Sequence, residues 1–95
     1  MRVDFDPGKS ERTERERGFG FLFAARIFLG DTIERLDNRH DYGEDRIVAI
    51  GRIEATTLVL VYTWRRDELG EPLRWIISAR LANRGEQRKY AAFFD

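Results

Sequence analysis

Ninety-five residues, 42% of them hydrophobic and 13% aromatic, are enough for one domain with one sheet, two or three helices and a single core. The 17 basic and 17 acidic residues cancel, so any positive surface must come from uneven placement rather than bulk charge. The absence of cysteine excludes disulfides, thiolate catalysis and cysteine-type zinc sites; one histidine argues against a multi-histidine metal site, and no segment approaches the roughly 20 apolar residues that span a bilayer. A soluble protein of the reducing cytoplasm is the expectation.

Val3 to Phe5 is a short strand candidate. Asp6-Pro7 then opens a helix, with Asp as N-cap and Pro at the first helical position, where its missing N–H costs nothing. Gly8 to Arg17 is polar nearly all round, with Glu11 and Arg15 spaced i,i+4, and Gly18 can end it in the left-handed conformation. Such a helix is not driven by burial and belongs on the surface or against a charged partner. Gly20 to Leu29 differs: Phe21, Ala24, Ala25 and Phe28 repeat at helical spacing, and Leu22, Phe23, Ile27 and Leu29 widen the stripe. The spacing predicts a mostly buried helix ended by Gly30-Asp31.

Strands follow. Thr32 to Leu36 is one, and the turn-rich run Asp37 to Gly43 leads to Arg46–Ile53 and Thr57–Arg65, joined by the short connection Glu54-Ala55-Thr56. Leu58 to Tyr62 is almost continuously apolar, as suits a central strand. Arg66 to Pro72 is a loop, Arg74 to Arg80 the last strand, and Asn83 to Phe94 a closing helix with Glu86 spaced as capping-box partner of Asn83.

Alternation sorts these strands into faces. Leu58, Leu60, Ile47, Trp75 and Ile77 fall under the helices. The other face shows Val48, Ile50, Val59, Val61 and Ile76, rimmed by Arg46, Arg52, Arg65, Arg74 and Arg80. Either a partner bearing phosphate or carboxylate covers this face, or the carboxyl-terminal helix folds over it and the arginines are ordinary rim charge. A one-residue slip would exchange the two faces. The stretch Leu73 to Tyr90 sharpens the first alternative, since it carries Arg74, Arg80, Arg84, Arg88 and Lys89 against the single acid Glu86.

Several motifs share one pattern: Phe5-Asp6-Pro7-x-Lys9, Gly18-Phe19-x-Phe21-x-x-Ala24, Arg39-His40-Asp41-Tyr42-Gly43-Glu44-Asp45-Arg46 with Ala49-x-Gly51-Arg52, and Ile76-Ile77-Ser78-Ala79-Arg80-x-Ala82-x-x-x-Glu86-x-x-x-Tyr90. In order and over nearly the whole chain they resemble the BrnT family, the ribonuclease toxins of BrnT–BrnA type II toxin–antitoxin modules. The resemblance implies an α+β, RelE-like fold: an antiparallel sheet of about four strands, two amino-terminal helices on one face and a carboxyl-terminal helix. It further implies an RNA endonuclease without metal or cofactor, held inactive by a BrnA-like antitoxin, with a toxin–antitoxin heterotetramer as one arrangement. The chain departs from the family pattern at Glu16-Arg17, where a Lys-His pair is common, and at Gly20, where a serine usually caps the second helix. A degenerate relative that binds antitoxin or RNA without cleaving is therefore the alternative.

Metal-free cleavage has the ribose 2′-hydroxyl attack the adjacent phosphorus, and it needs a base, an acid and cations for the charge on the phosphoryl oxygens. Arg80 is the first choice for that charge, because its planar fork meets phosphate oxygens in pairs. Arg46, Arg52, Arg65 and Arg74 are expected to support RNA binding. An unperturbed imidazole titrates near neutrality, so His40 is a candidate acid or base, or it makes a local turn hydrogen bond. Glu86 is either a general base or the capping partner of Asn83. Tyr90 and Tyr62 either contact RNA or fill the core with satisfied hydroxyls.

Overall fold

A computed structural model describes residues 2–37 and 43–95. The elements run β1 (Val3–Phe5), α1 (Pro7–Arg17), α2 (Phe21–Ala24) passing straight into a 3₁₀ helix (Ala25–Leu29), β2 (Thr32–Leu36), β3 (Ile47–Ile53), β4 (Thr56–Arg66), β5 (Pro72–Leu81) and α3 (Arg84–Phe94). The α+β class is as expected, but the sheet has five strands in the order β1-β5-β4-β3-β2 and is mixed. β1 joins as the fifth strand, parallel to β5, while the other pairings are antiparallel. The resemblance implies about four antiparallel strands; the strand candidate Val3–Phe5 makes the fifth, and three residues carry too little period to reveal its partner. No helix among the described residues is long and apolar enough to cross a membrane.

Local chemistry places the helices. Asp6 Oδ1 accepts the Gly8 N–H at 2.9 Å, and Gly18 (φ 88°) closes α1 in the left-handed region. α1 buries no side chain, as its polar circumference requires. Of the two amino-terminal helices placed on one face, only the second supplies buried side chains. The two are tied together at Gly20, which has no side chain to cap α2: Ser10 Oγ on α1 accepts the Phe21 N–H at 2.9 Å in its place. After Ala24 the chain tightens to three residues per turn, so the predicted stripe does not continue. Phe21, Ala24, Ala25 and Ile27 are buried, whereas Leu22, Phe23 and Leu29 face solvent.

The buried four pack on Ala49, Leu58, Leu60, Tyr62 and Ile76, which form one face of the sheet. Burial of each leucine contributes about 1.5–3 kcal/mol relative to exposure. Gly51 lets the 3₁₀ helix approach β3, since a Cβ there would lie 2.6 Å from Ile27 Cβ. Gly51→Ala is expected to destabilise the fold by about 1–3 kcal/mol, read as a lower denaturation midpoint at unchanged m-value. An unshifted midpoint would mean that the helix has room to move away.

The opposite face realises in part the second of the two alternatives left by the sequence. α3 folds over its β2–β3 end, where Tyr90 and Phe94 cover Val48, Ile50, Val59 and Ala82. Asn83 and Glu86 form the expected capping box. At its far end Arg52 grips the Asp95 carboxylate through both terminal nitrogens, at 2.9 and 2.7 Å. The remainder of the face stays uncovered by α3.

The predicted faces hold for β3 and for most of β4 but not along β5. Val61 pairs with Ser78 and Tyr62 with Ile76, so Ile77 is an extra, bulged residue. Beyond the bulge the parity reverses. Ile76 joins the helix-side core and Arg74 pairs with Trp64 on that side, while Trp75 pairs with Thr63 on the α3 side.

Candidate functional site

Alternation through the observed register places Arg35 of β2, Val48 of β3, Val61 of β4 and Ser78 and Arg80 of β5 on the α3 side of the sheet. Together with Val59 they line a groove of about 180 Å³ beside the start of α3. Its floor is aliphatic and its rim carries two guanidinium groups and one hydroxyl. Arg80 does not swing freely: Nη1 and Nη2 donate to the two Glu86 carboxylate oxygens at 2.7 and 2.8 Å. Glu86 also accepts the Asn83 N–H at 2.9 Å, so the helix cap and the arginine share one carboxylate.

The Arg80 fork holds the Glu86 carboxyl below its ordinary range, against the opposing effect of burial, with Asn83 and Arg35 adding to the lowering. Glu86 therefore remains ionised and takes up protons poorly near neutrality. Its contacts hold Arg80 in position and complete the helix cap, the second of the two roles its spacing allowed. Among the described residues, two guanidiniums stand against one carboxylate at the groove, a setting that suits one anionic group.

The sequence-chosen residues divide. Arg80 is in the groove, and alternation extended from β3 places Arg46 on the same side. Arg65 is also on this side, 4.5 Å over the Trp75 ring and 3.8 Å from Glu44. Arg52 is on this side too but is bound to Asp95 and lies 5.0 Å from the centroid of the Tyr90 ring, where it clamps α3. Arg74 is on the opposite side, enclosed by Phe28, Trp64 and Tyr62 with centroids at 4.2, 4.7 and 5.3 Å. The bulge at Ile77 is the cause of that separation. Tyr90 is buried and its hydroxyl donates to the Asp31 carbonyl at 2.9 Å, and Tyr62 is a core residue whose hydroxyl donates to Glu34. His40 lies outside the described residues.

Sequence reasoning missed Arg35. The alternation Thr32-Ile33-Glu34-Arg35-Leu36 separates Ile33 and Arg35 from the rest, but which face that is becomes visible only when Arg35 pairs with Val48. A family model described as the ribonuclease toxin BrnT of type II toxin–antitoxin systems matches residues 5–86. No curated protein matches the chain.

Proposed function

Because the chain belongs to the BrnT family of type II toxin–antitoxin ribonuclease toxins, we propose that it is a metal-independent RNA endonuclease whose scissile phosphate sits in the groove between Arg35 and Arg80. The observation that carries this reading is the pairing of two guanidiniums from separate strands over one small polar groove. The 2′-oxygen forms a bond to phosphorus and the bond to the 5′-oxygen breaks, leaving a cyclic phosphate and a free 5′-hydroxyl. Arg35 and Arg80 hold the phosphoryl oxygens as charge gathers on them, and the Ser78 hydroxyl donates to one of them. A proton leaves the 2′-hydroxyl and another reaches the departing oxygen; His40 is the proposed carrier for one of these transfers. A BrnA-like antitoxin occupies the part of the face that α3 leaves open, and a toxin–antitoxin heterotetramer is the proposed assembly.

The purified chain, freed of antitoxin, is expected to degrade total RNA in the presence of a chelator and to arrest growth on expression. Degradation that vanishes with chelation and returns with a divalent cation would reject the metal-free route. One observation favours a second reading, binding without cutting: Glu86 already occupies both terminal nitrogens of Arg80. That reading predicts no growth arrest, together with retained capture of RNA or antitoxin.

A further inference from the structure

Two ladder steps beyond Ser78, about 7 Å along the sheet at the usual strand rise, the same face holds a second and larger cavity of about 510 Å³. Trp75, Leu73 and Leu69 give it flat apolar surface, Arg65 stacks on the indole, and Asp4 and Glu68 stand at its wall. Nothing in the proposed phosphate chemistry uses these residues. Resting on that ribonuclease reading, we infer that this cavity is a subsite for an unstacked nucleobase of the same RNA strand, next to the phosphate held by Arg35 and Arg80.

Three observations support it. Unstacked bases are held on aromatic rings and guanidinium planes, and here the Arg65 guanidinium carbon lies over the Trp75 ring, 4.5 Å from its centroid. The cavity is built in advance rather than left to a loose loop. Asp67 Oδ1 accepts the N–H groups of Leu69 and Glu71, both at 2.9 Å, Arg66 donates to the Gly70 carbonyl at 2.7 Å, and Arg2 pairs with Asp67. The loop so fixed holds Leu69 85% exposed beside the indole, apolar area with no cover of its own. Finally, the bulge at Ile77 turns Trp75 to this face, in line with Ser78 and Arg80.

The wall sets a preference. Carboxylates accept hydrogen bonds, so Asp4 and Glu68 favour bases whose edge carries an amino donor: adenine, cytosine and guanine. Uracil has no amino group and offers them one ring N–H flanked by two carbonyl oxygens, so it is disfavoured.

The test uses the full chain carrying Trp64→Phe, which leaves Trp75 as its single tryptophan; Trp64 lies on the other side of the sheet. Trinucleotides methylated at every ribose 2′-oxygen resist the attack and serve as probes. Saturable quenching of Trp75 fluorescence is expected, with the uridine trinucleotide several-fold weaker than the adenosine one. Trp75→Ala should weaken binding of the labelled adenosine trinucleotide about tenfold, and Trp75→Phe should restore most of it. If the Trp64→Phe chain cleaves total RNA and binds the probe by anisotropy while Trp75 fluorescence is unmoved, the base subsite is wrong and the ribonuclease reading stands. If the chain neither cleaves RNA nor binds the probe, both fall together.

Discussion

Arg80→Ala is expected to slow RNA cleavage by about 10²–10³-fold, the loss typical when one preorganised donor to a developing oxyanion is removed. The size follows from how Arg80 is held. Its fork is pinned on Glu86, so it meets the phosphoryl group without first being ordered, and Arg35 is the only other groove-lining cation among the described residues. Arg80→Lys should recover little, since an ammonium cannot span the two Glu86 oxygens and still offer a fixed donor to the phosphoryl group. Removal of Arg80 also leaves the Glu86 carboxylate half-buried without its strongest partner, so a thermal melt must accompany the assay. Glu86→Gln provides the comparison: it keeps a capping side chain and loosens Arg80, and its rate should fall between wild type and Arg80→Ala. An Arg80→Ala chain that melts and cleaves like wild type would take the guanidinium out of the mechanism.

Tyr90→Ala is expected to cost about 3–5 kcal/mol, a large share of the 5–15 kcal/mol that holds a typical domain together. Tyr90 is 5% exposed, meets the Phe94 ring at a tilt with centroids 4.8 Å apart and fastens α3 over Val48, Ile50 and Val59. Without the ring this second core cluster opens to water, and loss of soluble protein or a markedly lower midpoint in urea should follow. Tyr90→Phe removes only the hydroxyl that donates to Asp31, a change of about 1 kcal/mol, and should leave cleavage intact. Were Tyr90→Ala to melt normally and lose RNA binding instead, Tyr90 would be a contact to RNA rather than the fastening of α3.

Most elements were legible because their signals are local. Asp6-Pro7, Gly18 and the Asn83–Glu86 spacing each fix a helix end through one or two hydrogen bonds, and all three ends lie where those residues put them. The strands from Ile47 to Leu81 carry enough alternation to be found within a residue or two of their ends. What stayed hidden depends on partners distant in sequence. The parallel seat of β1 beside β5 is one case, and the face of Arg35 is another. The 3₁₀ turn after Ala24 defeats a pattern drawn at 3.6 residues per turn, so Leu29 reads as core and stands in solvent. The groove was half legible: Arg80 was assigned to its face correctly, whereas Arg74, six residues before it, was carried across by a residue whose only signature is a missing step in the ladder.

That missing step has a consequence for anyone who would move this chemistry elsewhere. A flat strand copied with the same side chains would set the indole and the hydroxyl on opposite walls. Transplanting the pair into another scaffold thus requires the irregular backbone at Ile77 as well, and a template library of ideal ladders would discard it as noise.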